Sequence, residues 1–464
     1  EMCIRDSIIT ESDPEELEQS VSDTKNSHFW ISLDSEWSLY LHSRTTLSYI
    51  GLDNTRVAEA NDPERMVAIV SDVREAETYG FQQDWTWAGP GAHTLRFGLG
   101  LRREEARFDY RGRAEYLGFY EFYPGLENPV ERDISAAPEG NSYSLYLSDR
   151  WQLTEASGLQ LGLRWDRQTY MNPDYDEQIS PRVSFLHSFG SSTELRLTWG
   201  RYYQSQAVQE LQVEDGLDRY FEPQRSDHWI AGVQHRFESG YRLRAEAFYK
   251  GYDQLKPRFE NMFDPLALIP ELAPDRVMLA PDSARTFGIE TTFEYRGGEE
   301  LDWWASYTWS KAEDRIDGSD QPRSWDQRHA LQAGLAWERG PWEVGLAFSV
   351  HSGWPTTGMD YSVLPGETEE DEEEAEDIFL PVPGPRNAEQ LGTYAQIDFR
   401  ISREFKVKHG RLSAFFEVTN ATNRNNPCCL DYDIEEEEDG TFFFDRSVEY
   451  GLPIIPAVGI FWEF

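Results

Sequence analysis

Long hydrophobic runs are missing from this 464-residue chain. None approaches the 18 or so consecutive apolar residues of a membrane-crossing helix, so transmembrane helices are excluded. Cysteine is almost missing too: three residues, two of them adjacent as Cys428-Cys429, cannot supply a disulfide framework. Basic residues are scarce, with 43 Lys and Arg against 84 Asp and Glu and a formal net charge of −41. Such a chain is a poor match for nucleic acid, because phosphate binding needs a basic surface. It suits a surface that handles cations, or one kept soluble in a saline habitat. Catalytic signatures are lacking as well. The nine His show no H-E-x-x-H spacing, His351-Ser352 has neither a G-x-S-x-G elbow nor a third triad member, and no phosphate-binding or dinucleotide glycine pattern occurs. No catalytic or cofactor-binding residue is therefore expected.

No signal peptide opens the chain, and Glu1-Met2-Cys3-Ile4-Arg5-Asp6-Ser7 is polar and unpatterned. Residues 1–26 are expected to be a fragment edge without pattern, and 27–464 the folded domain. Aromatic residues, by contrast, are plentiful: 16 Trp, 23 Tyr and 26 Phe. Mean hydropathy is nevertheless −0.66. Many aromatics in a hydrophilic chain are awkward for a soluble globule. They are natural for a large barrel with a lipid-facing band, aromatic girdles, and a polar lumen and loops.

Hydrophobicity recurs with period 2, the repeat of a strand. Leu159, Leu161, Leu163 and Trp165 alternate with Gln160, Gly162, Arg164 and Asp166. Leu412, Ala414, Phe416 and Val418 alternate with Ser413, Phe415 and Glu417. Alternation alone fits a sandwich core equally well. The connections decide. Short turns near Gly89-Pro90-Gly91, Glu155-Ala156-Ser157, Gly190-Ser191-Ser192, Glu238-Ser239-Gly240, Arg296-Gly297-Gly298, Arg339-Gly340-Pro341 and Lys408-His409-Gly410 alternate strictly with long stretches. Those stretches lie near 112–140, 170–178, 204–226, 257–281, 313–324, 355–391 and 423–450. Short turns on one rim and long loops on the other characterise an outer-membrane barrel. Trp342 and Trp354 share a face, and a strand between them would span roughly 30 Å along a tilted axis. About seventeen strands are countable from residue 27. Single-chain bacterial barrels use an even number, so the expectation is that some N-terminal strands are missing.

The final strand places Val458, Ile460, Trp462 and Phe464 on one face. This ending resembles the C-terminal assembly signal of bacterial outer-membrane barrels. Several internal segments resemble TonB-dependent receptors. They are Trp325-Asp326-Gln327-Arg328-His329-Ala330-Leu331, Gly340-Pro341-Trp342-Glu343, His351-Ser352-Gly353-Trp354-Pro355, Phe416-Glu417-Val418-Thr419-Asn420-Ala421-Thr422-Asn423 and Asn426-Pro427-Cys428-Cys429. The resemblance implies an all-β transmembrane barrel of about 22 strands in the Gram-negative outer membrane, with short periplasmic turns and long extracellular loops. It also implies energy-coupled uptake of a scarce nutrient: a siderophore or other metal chelate, cobalamin or an oligosaccharide. The partners implied are outer-membrane lipid and lipopolysaccharide, the barrel-assembly machinery, and the TonB complex through an N-terminal region. Neither that region nor a plug domain is legible in the chain, which is expected to be the C-terminal barrel portion. A passive channel or other plug-less barrel is the alternative, and a soluble acidic β-protein a third class.

Two features invite a ligand. The run containing Glu369, Glu370, Asp371, Glu372, Glu373 and Glu374 falls in a long loop, as does the later Glu435-Glu436-Glu437-Glu438-Asp439. Cation capture is one reading. A solvated, self-repelling loop is the more economical one. Cys428-Cys429 allow a vicinal disulfide or a metal contact, although two thiols alone make a poor metal site. Loop geometry without a ligand role is the simpler expectation there.

Overall fold

Side chains of alternating polarity along a strand cannot all be buried in a thin sheet, so the sheet must separate two media. The computed structural model describes residues 2–10, 17–63, 65–123, 125–175, 177–263, 267–296, 298, 300–364, 378–436 and 442–464. Its main element is one antiparallel sheet of 20 strands, and the described residues contain no α-helix. Two of these strands, Val130–Ala136 and Ser319–Pro322, are short returns beside longer neighbours. The others form a continuous curved wall, each paired with its neighbour in chain order.

Register carries one face unbroken around this wall. Leu147 lies opposite Leu163, Leu161 opposite Val183, Leu197 opposite Ala231, and Ala247 opposite Ile289. The same row continues through Leu335–Leu346, Leu346–Phe399, Ile401–Phe416 and Phe416–Val458. These residues are apolar yet largely exposed, as a lipid-facing band requires. Aromatic pairs border the band on both sides. Trp85 stacks on Phe97, and Tyr241 on Phe293, near the short turns. Trp199–Trp229 and Phe287–Trp309 lie about 20 Å further along the axis. The intervening residues point into the lumen and pair with one another: Arg44–Asp34, Tyr146–Asp84, Arg164–Asp166 and Arg400–Glu417.

All seven short turns and all seven long connections fall on opposite rims, as the sequence pattern predicts. An eighth short turn joins Leu17–Glu36 to Leu41–Asp62. The hairpin between Leu41–Asp62 and Met66–Trp87 breaks the sequence rule, because its turn is short although it lies on the long-loop rim. It compensates with height: Leu41–Asp62, Met66–Trp87 and His93–Tyr116 are 22, 22 and 24 residues long and rise well past the band.

Two expectations need correction. Residues 1–26 are not unpatterned, since Met2–Thr10 pairs with residues 18–26 of the strand Leu17–Glu36. The alternation of 17–26 is illegible because that part of the wall, paired with 52–61, stands beyond the apolar band, where neither face must be greasy. Second, the strand from Trp342 is ten residues long, ends at His351, and spans about 25 Å along the axis. Trp354 therefore does not share the outer face with Trp342. The chain turns inward at Gly353, whose Cα packs so close to the Leu391 carbonyl that a Cβ would come within 1.7 Å of its oxygen. Between Leu17 and the C-terminus the wall holds the seventeen strands expected. Met2–Thr10 adds another, and among the described residues it does not pair with the last strand, Ile455–Glu463.

Candidate functional site

Large buried side chains of this protein gather beyond the band, at the long-loop rim. The tall strands present alternate residues inward: Ala58, Val70, Phe108, Tyr110 and Tyr116. Loop residues Val208, Leu211, Val213, Ile269 and Leu272 pack against them, all at most 1% exposed. Burial of this kind is worth roughly 1.5–3 kcal/mol per large side chain. The long connections are thus folded structures rather than tethers. Within them Arg258–Asn261 pairs with Arg276–Leu279, Met359–Leu364 with Ile378–Pro383, and Pro427–Glu436 with Phe442–Tyr450.

Buried ionic groups stitch these loops to the wall. Glu271, 2% exposed, accepts from Arg56 and from the Tyr110 hydroxyl at 3.2 Å. Arg132 donates to the Glu271 and Glu214 carbonyls at 2.7 and 2.6 Å. Arg74 bridges Asp72 and Glu214, 2.7 Å from each. Burial raises the Glu214 carboxyl above its ordinary value despite that contact. Arg276 chelates Asp215 at 2.9 and 2.7 Å.

A second knot holds Glu260. Arg258, Arg386 and the Ser324 hydroxyl all donate to its carboxylate, the last two at 2.8 and 2.7 Å. Burial works against the ionised form, but the guanidiniums of Arg258 and Arg386 outweigh it and hold the carboxyl at about 2. Asp314, fully buried, takes Arg258 and Arg323. Asn387 ties the same region to Ser324 and to the Pro322 carbonyl, at 3.1 and 2.8 Å.

Between the two knots lies a cavity of about 260 Å³. Its walls are aromatic: Phe259, Phe263, Trp325 and Trp354, the tryptophans meeting edge to face at 4.7 Å. Arg276 also lines it, with its guanidinium over the Phe259 ring at 5.6 Å. The Trp354 indole Nε1 is buried and has no hydrogen-bond partner among the described residues. A buried donor left unpaired costs about 1–3 kcal/mol, which a ligand acceptor would recover. Flat faces, a guanidinium and a free N–H suit a ring-bearing ligand with oxygen acceptors.

Trp325 and Trp354 both stand in loops, and the sequence signal that includes them is the resemblance of Trp325–Leu331 and His351–Pro355 to TonB-dependent receptors. Their meeting was not readable, since the cavity joins loops far apart in the chain. The acidic candidates Glu369, Glu370, Asp371, Glu372, Glu373 and Glu374 lie outside the described residues. Val458, Ile460, Trp462 and Phe464 stand on the outward face, 80, 73, 55 and 95% exposed. In the His351-Ser352 pair the His351 Nδ1–H donates to the Ser352 carbonyl, and the Ser352 hydroxyl accepts from the His329 N–H. Asp326, 4% exposed, accepts from the Ala312 N–H at 2.7 Å and from Arg328 at 3.1 Å, a local network. Cys428 lines the cavity, and its Sγ lies 2.8 Å from that of Cys429.

Comparison with known proteins agrees with this architecture. The family model described as TonB dependent receptor-like, beta-barrel matches residues 9–421. Solved structures of similar fold include the pyoverdine outer membrane receptor FpvA from Pseudomonas aeruginosa PAO1 bound to pyoverdine. It is 14% identical, with TM-score 0.59, over 97% of this chain and 62% of that one. The ferric yersiniabactin uptake receptor FyuA from Yersinia pestis is also 14% identical, with TM-score 0.58, over 97% and 62%. The siderophore receptor PiuA from Acinetobacter baumannii is 12% identical, with TM-score 0.56, over 96% and 64%. The chain thus spans less than two thirds of the length of these structures. No curated protein matches it. With its paired wall, two unequal rims and a family model covering most of its length, the chain belongs to the TonB-dependent receptors, as an outer-membrane β-barrel.

Proposed function

We propose that this barrel serves TonB-coupled uptake of a scarce metal chelate, and that the aromatic cavity at the long-loop rim is where the chelate first binds. The observation that carries the reading is the cavity's combination of tryptophan faces, Arg276 and the unpaired Trp354 N–H. Siderophores commonly combine flat rings with oxygen donors, and the solved relatives named above include receptors for pyoverdine and ferric yersiniabactin. Cobalamin and oligosaccharides are the competing cargoes. The same reading includes lipid and lipopolysaccharide around the outward band, TonB as the source of energy, and delivery by the barrel-assembly machinery through Val458, Ile460, Trp462 and Phe464.

The test is a tryptophan-fluorescence titration of the full chain in detergent. Ferric catecholate, hydroxamate and phenolate chelates are compared with cobalamin and a maltodextrin. At least one ferric chelate should quench the signal saturably, and Trp354→Ala should weaken its binding at least tenfold. Binding of none of them, together with swelling of proteoliposomes in small sugars, would replace this reading with a passive channel.

A further inference from the structure

Adjacent residues on a regular strand point to opposite faces, so neighbouring cysteines there cannot share a ligand. The strand Pro427–Glu436 is not regular at this point. Its pairing with Phe442–Tyr450 slips between Pro427 and Cys429, leaving Cys428 as the extra, bulged residue. The bulge turns both thiols to one side. Their Sγ atoms lie 2.8 Å apart, and Glu449 stands directly across the ladder from Cys429. The two sulfurs and a Glu449 carboxylate oxygen all lie within 4.8 Å of one another. Cys429 is buried and Cys428 half-buried, and Cys428 also lines the aromatic cavity.

We propose that Cys428, Cys429 and Glu449 form a zinc site whose fourth position opens to the cavity. The donor set selects the ion. Two thiolates are too soft for calcium or magnesium, which take oxygen ligands. The carboxylate is harder than copper(I) prefers, whereas zinc accepts both donor types and keeps an open position when the protein supplies three ligands. Binding displaces both thiol protons, so each Zn²⁺ that enters releases two H⁺ to solvent and leaves two Zn–S bonds and one Zn–O bond. Tetrahedral geometry with Zn–S bonds of about 2.3 Å puts the sulfurs roughly 3.8 Å apart. Cys428, the more exposed and bulged of the two, moves outward to open that gap. The site then presents a Lewis-acidic position to whatever occupies the cavity beside Trp354. It stands whether or not the cavity binds a ferric chelate, because its probe is the metal alone.

The experiment uses the full chain in a Cys3→Ser background without a metal-binding tag, reduced with a phosphine and titrated with Co²⁺. One equivalent should produce a thiolate-to-cobalt charge-transfer band and tetrahedral d–d bands, both erased by stoichiometric Zn²⁺. Cys429→Ser should abolish the charge-transfer band. Glu449→Gln should keep the band and weaken Co²⁺ binding at least tenfold, a split that loss of folding would not give. Heat-modifiable gel migration checks that each variant keeps its barrel. Co²⁺ uptake without the charge-transfer band overturns the site and assigns the metal to the acidic loops. So does a pair isolated as a disulfide that, after reduction, takes up no Co²⁺.

Discussion

Arg386 and Glu260, 126 positions apart in the chain, meet at 2.8 Å. Their contact clamps the 352–393 connection onto the 254–282 connection, with Arg258 completing the charge balance on Glu260. Removing Arg386 leaves Glu260 with Arg258 and Ser324 and costs the charge-assisted hydrogen bond between the loops, about 1.5–3 kcal/mol. Arg386→Ala should therefore loosen these two loops while sparing the wall away from Asp314 and Pro322, the two wall residues that Arg386 also contacts. Hydrogen exchange should rise at least tenfold over 258–263 and 386–391 and stay unchanged over 157–168. Equal increases in both places would show that the loop knot and the wall unfold together.

The same knot predicts an acid response. Glu260 is held at about 2 by its two arginines, below its ordinary value of 4.5. A carboxyl depressed in the folded state stabilises it fully above the unfolded value, and this contribution fades as pH falls through the folded one. The knot should thus weaken between about pH 4.5 and 2. Pepsin, active in this window, should nick the 254–282 connection progressively faster as pH falls. In Glu260→Gln, already uncharged, cleavage should be fast at pH 4.5 and nearly flat below. Glu214, raised by burial, titrates with the opposite sign and does not produce this trend.

The wall was legible because lipid imposes one rule on every strand that crosses it. Leu159 to Trp165 and Leu412 to Val418 show period 2 for that reason, and turn chemistry marked their ends. Asn420 and Asn423, of a residue type that tolerates left-handed turn conformations, adopt φ of 50° and 47°. The Asn420 side chain closes that turn, accepting from the Arg424 N–H and donating to the Arg424 and Leu452 carbonyls. Outside the band the rule lapses. The strands before residue 27 and the minihairpins within the long connections lie there. The cavity was hidden for a different reason: Phe259, Trp325 and Trp354 are brought together by ion pairs such as Arg386–Glu260, which no local pattern encodes.

Gly353 tests how tightly the cavity depends on one backbone approach. A Cβ there would sit 1.7 Å from the Leu391 carbonyl oxygen, a contact that only backbone movement can relieve. Such movement would strain the neighbouring bond from the Leu391 N–H to the Trp354 carbonyl, 2.9 Å long. Gly353→Ala should shift Trp354 away from Trp325. The expected signs are a changed tryptophan emission maximum and a loss of ligand affinity at least as large as that of Trp354→Ala. Heat-modifiable migration should remain normal, because the strand Trp342–His351 ends before the substitution.

Leu147 and Ser148 are neighbours on Glu139–Gln152 and face opposite media. Leu147, 54% exposed, lies opposite Leu163 in the apolar row, whereas Ser148 pairs with Gly162 on the face that carries Arg164. An arginine placed on the lipid face near mid-band costs about 2–4 kcal/mol, while one in the wet lumen costs little. Leu147→Arg should therefore lower the denaturant midpoint of the barrel refolded in lipid vesicles. Ser148→Arg, carrying the same added charge one position along, should leave that midpoint close to the wild type. Equal losses at both positions would mean that the row from Phe416 through Leu163 does not face lipid. The inward assignment of Arg164 and Tyr146 would then fall with it.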